Sequence, residues 1–391
     1  MARRPAPRRR PSARAAPRTT EQESDAFRPH PAPPRLRRDR ARRPGARAGR
    51  GPRRRPARRR RRLHRAVRRA RVRPDQVRAQ GERALEATAA WAPGLAEEIA
   101  GLAEGAGLEP WRLGALNART EVLGAAAAAG GAAAGGGECS TSVVLPGGGA
   151  PPRTLQTWDW HAFLAGGMLL WTLEPRPGHR VHTFTEAGVV GKIGVNGAGL
   201  GVHFNVLRHT ADGPGTGVPV HVAARRILDE AATVDQAAEI ARSARYSASS
   251  VVTVVSFDGE RGDARCLELS PAGVAEIGPR GGRLAHTNHF LDPVLARGER
   301  ATDDSTTRGR LDQVRACPAG LAAEHPADRA AALAGHGDGA GVCVHGDPRT
   351  PFHERWDTLA TIALDLAAPR LLVHPGRPCT AATGRWEDSS A

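Results

Sequence analysis

Positive charge in this chain is confined to one end, and that confinement decides where a fold can form. Residues 1–73 hold 29 Arg, no Lys and 4 acidic residues, a net of +25, together with 11 Pro and a single aromatic, Phe27. A segment so rich in like charge and so poor in apolar side chains cannot offset the entropy of ordering. It reads as a disordered Arg/Pro-rich tail. The whole chain of 391 residues has 57 basic and 40 acidic residues, so positions 74–391 carry 28 and 36, a net of −8. A basic footprint for nucleic acid is therefore confined to the tail. The tail itself reads as a targeting peptide, a polyanion-binding arm or sequence upstream of the true start. No run of about 18 apolar residues occurs, and no signal-type apolar stretch, so neither a membrane span nor a secretory signal is expected.

The remaining 318 positions suffice for one large domain or two small ones. The five cysteines are Cys139, Cys266, Cys317, Cys343 and Cys379, with no two closer than 26 positions. That excludes a disulfide scaffold and offers no zinc-type spacing. The expectation is free thiols in a reducing, cytoplasmic setting, with no metal and no resident cofactor.

Periodicity divides the rest. Leu95, Ile99 and Leu102 share one helical stripe, and a second helical run surrounds Trp111–Leu123, so residues 74–123 read as a helical segment. Gly124–Gly137 contains only Ala and Gly and reads as a linker. Period-two patterns then predict strands over Ser142–Leu145, Leu155–Trp160, Val181–Glu186, Val189–Val195 and Leu200–Leu207, the last two joined at Asn196-Gly197. Helices are expected over Pro219–Ala231 and from Thr233, where Thr233 and Gln236 form a capping-box pattern. A hairpin over Val251–Phe257 and Cys266–Leu269 follows. Helices over Leu311–Arg315 and Asp328–Leu333 come next, then strands over Leu359–Leu366 and Arg370–His374. Hairpins in runs with helix pairs between them give an α+β layout with mainly antiparallel sheet. The glycines at 194, 197, 199 and 201 sit inside a hairpin without a Lys-Ser/Thr ending, which excludes a phosphate-binding loop.

Two positions invite chemistry. Cys139 opens a strand straight after the linker, an unusual place for a core thiol. Twenty residues on, Trp158-Asp159-Trp160 places a carboxylate between two indoles, with the Trp pair on one strand face and Asp159 on the other. On spacing alone the ordinary readings come first: a core thiol for Cys139 and a solvent-facing Asp on an edge strand. His203, His289 and His345 have no ligand spacing among them and read as structural.

A longer series of segments carries more. Glu97 through Gly107 and Leu116-Asn117-Ala118-Arg119 precede Cys139-Ser140-Thr141, and Thr157-Trp158-Asp159-Trp160 follows it. Gly191 through Gly201 with Asn205, then Thr287-Asn288-His289-Phe290 and Ser305-Thr306-Thr307-Arg308, complete the series. In this order they resemble the acyl-CoA:6-aminopenicillanic acid acyltransferase family (isopenicillin N acyltransferase-like, peptidase family C45), among the N-terminal-nucleophile hydrolases. The resemblance covers roughly 92–380. It implies a four-layer αββα sandwich over 138–391, and a precursor that cuts itself between Glu138 and Cys139. Cys139 then supplies the thiol nucleophile and, through its new α-amino group, the base. It further implies that Asn288 donates to an oxyanion, that Asp159 orients the nucleophile or the new ammonium, and that Arg308 fixes a carboxylate, either Asp159 or the substrate's. The implied substrate is a small amide or thioester, with acyl-CoA a candidate donor, and the two processed chains would stay associated. Glu138 departs from the penicillin-forming relative, which has Gly there. The competing readings are an uncut cysteine amidase and a nucleic-acid binder working through residues 1–73.

Overall fold

The computed structural model describes residues 73–128, 138–300, 305–336 and 341–389. The tail expected over 1–73 lies outside them except for Arg73, as does the 129–137 part of the Ala/Gly run.

Among the described residues four helices precede the first strand: α1 (Pro74–Trp91), α2 (Pro93–Gly105), α3 (Pro110–Asn117) and α4 (Arg119–Ala128). The first three start on proline, whose fixed φ and missing N–H suit a helix start. The stripe on α2 buries Leu95 and Ile99 together with Ala103. The 124–128 part of the linker expected over Gly124–Gly137 is helical instead, because α4 runs on to Ala128. Consecutive alanines have the strongest intrinsic helix preference, which outweighs the loop reading of their composition.

Two antiparallel sheets follow. One has six strands in the order β10-β1-β2-β11-β12-β13: β1 (Glu138–Val144), β2 (Arg153–His161), β10 (Arg283–His286), β11 (Trp356–Asp365), β12 (Arg370–His374) and β13 (Glu387–Asp388). The other runs in sequence order through seven: β3 (Met168–Arg176), β4 (His179–Glu186), β5 (Ile193–Asn196), β6 (Leu200–Val206), β7 (Ser250–Phe257), β8 (Gly262–Ser270) and β9 (Gly273–Ile277). The predicted strand Val189–Val195 is shorter than expected, since pairing begins only at Ile193. Val189 and Val190 are buried outside the ladder, and Val190 N–H donates to Asn117 Oδ1 instead. Burial thus supplied the apolar pattern without strand pairing. The hairpin at Asn196-Gly197 forms, and Asn196 Oδ1 accepts from the backbone of Ala198 and Leu200 to shape its turn.

Helices cover both outer faces. Over the seven-stranded sheet lie α5 (Val220–Glu230) and α6 (Val234–Ser243). Asn196 Nδ2 donates to the carbonyls of Leu228 and Ala231, tying that hairpin to the end of α5. Thr233 caps α6 by accepting from Gln236 N–H at 3.2 Å, while the Gln236 side chain returns to Ala232 N–H rather than to the cap residue. Over the six-stranded sheet lie α7 (Thr307–Ala316), α8 (Pro318–Leu321) and α9 (Pro326–Ala332), with buried Arg329 donating to Thr154 O. The layer order is therefore αββα, as expected. The early helices join the same core, and Arg225 of α5 binds Glu98 of α2 through both terminal nitrogens.

Between the two sheets the core is largely apolar, but one polar seam crosses it. Gln156 of β2 donates to Phe204 O at 2.6 Å and accepts from β6. Thr141 of β1 donates to Asn205 Oδ1 at 2.8 Å. Buried amides are retained where every bond is satisfied. Here they fix the register of β6 against β1 and β2.

Candidate active site

Cys139 is the second residue of β1, and its backbone is gripped on both sides. Its N–H donates to Asn288 Oδ1 at 2.9 Å, and its carbonyl accepts from Asn205 Nδ2 and Arg310 Nη1, each at 2.9 Å. The peptide nitrogen joining Glu138 to Cys139 is therefore addressed by a side chain 149 positions away in sequence.

Arg310 organises this cluster. It has no solvent exposure, and its guanidinium also donates to Ser140 Oγ and Asn288 Oδ1, each at 2.9 Å, and to Thr306 Oγ1 at 3.0 Å. Thr306, Thr307 and Arg310 stand at the start of α7, spaced so that one helical face meets β1. Thr306 Oγ1 donates to Glu138 Oε2 at 3.2 Å, and Arg310 Nε lies 3.8 Å from the same oxygen. The Glu138 carboxylate thus neutralises part of a buried positive charge.

The loop carrying Asn288 is clamped from two directions. Thr307 Oγ1 accepts from Asn288 N–H at 2.7 Å, and Thr287 Oγ1 donates to Thr307 O. Buried Glu268 accepts from the N–H groups of Leu291 and Asp292 and pairs with His286 Nε2 at 2.8 Å. Asn288 Nδ2 donates to Val206 O at 2.9 Å, so in this uncut chain its oxygen, and not its N–H, faces Cys139.

Asp159 lies opposite Glu138 in the β1–β2 ladder, with Trp158 opposite Cys139. Both faces are covered, and Asp159 is fully buried rather than solvent-facing. One carboxylate oxygen accepts from Thr358 Oγ1 at 2.6 Å, and the other has no hydrogen-bond partner among the described residues. Burial pushes its pKa up to about 7, against the pull of the Thr358 bond and the Arg310 charge. Burial likewise pushes the Cys139 thiol up to about 12, with the Asp159 charge adding to it. A hydrogen bond from the Asp159 backbone and the charges of Arg310 and Lys192 act in the opposite direction. In the uncut chain the thiol is held neutral.

Arg308, the guanidinium expected to fix a carboxylate at the site, lies elsewhere. Its side chain is 69% exposed and pairs with Glu299 at 3.0 Å. The buried guanidinium is two residues on, and at the start of a helix that shift turns a side chain from outside to inside. Three residues that sequence reasoning passed over complete the arrangement: Arg310, Asn205 as a ligand of the Cys139 carbonyl, and Lys192. Lys192 is the only lysine in the chain. It is fully buried, pairs with Glu186, and places its Nζ 4.2 Å from the centroid of the Trp158 ring. Burial and the nearby Arg119 lower its pKa to about 8. A single lysine kept inside a chain that otherwise uses arginine was a legible signal.

The remaining buried histidines serve the scaffold. His203 Nδ1 meets Gln156 Oε1 at 3.0 Å, and burial lowers its pKa to about 3. His289 Nδ1 lies 2.9 Å from Thr307 Oγ1.

The profile of a protein family described as acyl-coenzyme A:6-aminopenicillanic acid acyl-transferase matches residues 147–378. That span includes Asp159, Asn288 and Arg310 and begins after Cys139. The acyl-coenzyme A:6-aminopenicillanic-acid-acyltransferase 40 kDa form of Emericella nidulans is 29% identical over 228 residues, which cover 57% of this chain and 60% of that protein. The chain thus spans about three fifths of the length of this curated relative. Among solved structures, penicillin V acylase from Agrobacterium tumefaciens is 16% identical, covers 60% of this chain and 82% of its own, and has a TM-score of 0.40.

Proposed function

We infer that this chain, which belongs to the acyl-coenzyme A:6-aminopenicillanic acid acyl-transferase family, is a self-processing cysteine acyltransferase or amidohydrolase. The observation that carries the reading is the grip on Cys139: Asn288 on the nitrogen of the Glu138–Cys139 peptide, Asn205 and Arg310 on the carbonyl of the next peptide, and a buried carboxyl alongside.

The uncut chain is chemically quiet, because a thiol held near 12 supplies almost no thiolate at neutral pH. Asp159, with a pKa of about 7 and one unpartnered oxygen, is the group suited to take the thiol proton for the first step. The Sγ atom attacks the Glu138 carbonyl carbon, the proton taken from the thiol passes to the departing nitrogen as the peptide C–N bond breaks, and the chain is left as a thioester with a free Cys139 amine. Water then attacks the thioester, giving the Glu138 carboxylate and returning the thiol. Thr306 and Arg310 already hold the Glu138 side chain, so the new chain end starts in place.

The cut changes the chemistry of Cys139. Its α-amine, with an unperturbed pKa of about 7.7–8.0, now lies within reach of the thiol proton and acts as base. Asn288 Oδ1, bonded to the peptide N–H before the cut, becomes an acceptor for the amine. The oxyanion role expected for Asn288 requires the Nδ2 that donates to Val206 O in the uncut chain. An acyl group from a small amide or an acyl-CoA thioester is then carried on Sγ and passed to an amine or to water.

Incubation with a thioester acyl donor, followed by peptide mass mapping, tests the assignment. The reading predicts one acyl adduct on Cys139 and none in Cys139→Ala. Acylation or turnover that persists in Cys139→Ala contradicts it.

A further inference from the structure

Away from Cys139, four ligand-type side chains converge that sequence spacing did not connect. His336 follows α9, Cys343 and His345 lie in the segment before β11, and Cys379 lies in the short helix α10 (Pro378–Ala381). One ligand atom from each falls within 4.8 Å of the other three. Cys343 Sγ and Cys379 Sγ lie 3.4 and 3.5 Å from His345 Nε2. The rings of His336 and His345 stand edge to face with centroids 4.6 Å apart. The longest step in sequence, from His345 to Cys379, spans β11 and β12, so only the folded sheet brings these residues together.

We propose that His336, Cys343, His345 and Cys379 form a structural zinc site. Two thiolates and two neutral imidazoles are the soft and borderline donor set that tetrahedral zinc takes. With Zn–S near 2.3 Å and Zn–N near 2.05 Å, a tetrahedral angle separates S from N by about 3.6 Å. The two observed S–N separations fall within about 0.2 Å of that value. Four protein ligands leave no open position, which marks a structural rather than a catalytic metal. The charges balance as well, since two thiolates cancel a divalent cation.

The surroundings give the ion a task. Val342 and Ala381, neighbours of Cys343 and Cys379, belong to a small apolar cluster with Leu155, Leu321 and Leu333, separate from the main core. The metal would close that cluster by joining three segments with little regular structure. It would also fix Val344, whose N–H donates to Thr358 Oγ1 at 3.0 Å and whose O accepts from Thr358 N–H at 3.1 Å. Thr358 Oγ1 in turn donates to Asp159, so two hydrogen bonds connect the cluster to the candidate active site.

Untagged full-length protein supplied with zinc during purification is the material for the test. Elemental analysis should find about one zinc per chain, and Cys343→Ser and Cys379→Ser should each lose most of it. Replacing zinc by cobalt should give thiolate-to-metal charge transfer and the intense visible bands of a tetrahedral ion. Cys317→Ser, outside the cluster, should keep both. No bound metal, a cobalt spectrum without thiolate bands, or a Cys343–Cys379 disulfide in unreduced protein would each overturn the proposal. Retention of the metal by both serine variants would do the same. Should the serine variants not fold, the cobalt spectrum of the unaltered chain decides alone.

Discussion

Among single residues, two guanidinium groups on one helix start differ in whether they reach Cys139. Arg310 bonds the Cys139 carbonyl, Ser140 and Asn288 from a fully buried position, whereas Arg308 is exposed on Glu299. Arg310→Ala should therefore cost about 100-fold or more in acyl transfer, the scale of losing a preorganised donor. Arg308→Ala should stay within about threefold, as exposed ion pairs contribute little. Steady-state kinetics of the two variants check this, and a larger loss in Arg308→Ala would reverse the assignment. Asp159 gives a prediction in stability rather than rate. The folded chain keeps its carboxyl protonated up to about 7, while an unfolded chain releases that proton near 4. The group's stabilisation is thus complete below about pH 4 and is lost as pH rises through about 7. Asp159→Asn keeps the shape and removes the titration. In the uncut Cys139→Ala background, its stability relative to the parent that keeps Asp159, followed by urea midpoints, should rise across that window, and parallel curves would show that the carboxyl is not held protonated. Cys139 and Asp159 could be picked out in the sequence because a thiol at a loop-to-strand junction and an acid between two tryptophans break ordinary patterns. Arg310 could not be separated from Arg308, because the two differ only by the rotation of a helix start.

Among the elements, those with strong local signals were legible and those formed by burial alone were not. The stripe on α2, the Asn196-Gly197 hairpin and the Thr233 cap all form at the residues that encode them. Val189 and Val190 have strand composition yet leave the ladder, since a buried apolar pair looks alike in a loop and a strand. β3 gave no period-two signal, because Met168-Leu169-Leu170-Trp171 is apolar without alternation. Helix packing adds a feature that no periodicity reveals. α1 and α3 cross at Gly81 and Gly114, where a Cβ on Gly81 would stand 2.2 Å from Trp111 O and one on Gly114 2.4 Å from Gly81 O. Gly81→Ala should then destabilise by about 1–3 kcal/mol despite alanine's better helix preference. Chemical denaturation measures the effect, and a neutral or stabilising result would mean that the helices can part at no cost.

For the whole molecule, the charge count misleads until it is divided. The net +17 of the chain comes from residues 1–73, and the folded layers behind Cys139 belong to a mildly acidic remainder. The αββα layering follows from hairpins in runs separated by helix pairs, and the family follows from motifs spread over 147–378. What stayed hidden was long-range convergence. The Asn288 contact to Cys139 and the meeting of His345 with Cys379 both depend on strand order, which spacing along the chain does not encode. Among the described residues no helix is long and apolar enough to cross a membrane. The proposed cut lies at the peptide whose nitrogen Asn288 holds, just before the carbonyl bound by Asn205 and Arg310, and it would make Cys139 an N-terminal nucleophile. N-terminal sequencing of purified, active protein tests this most directly. A chain beginning Cys-Ser-Thr-Ser at Cys139, absent in Cys139→Ala, is the expected result; a single unbroken chain with full activity would overturn the assignment of Cys139 as an N-terminal nucleophile.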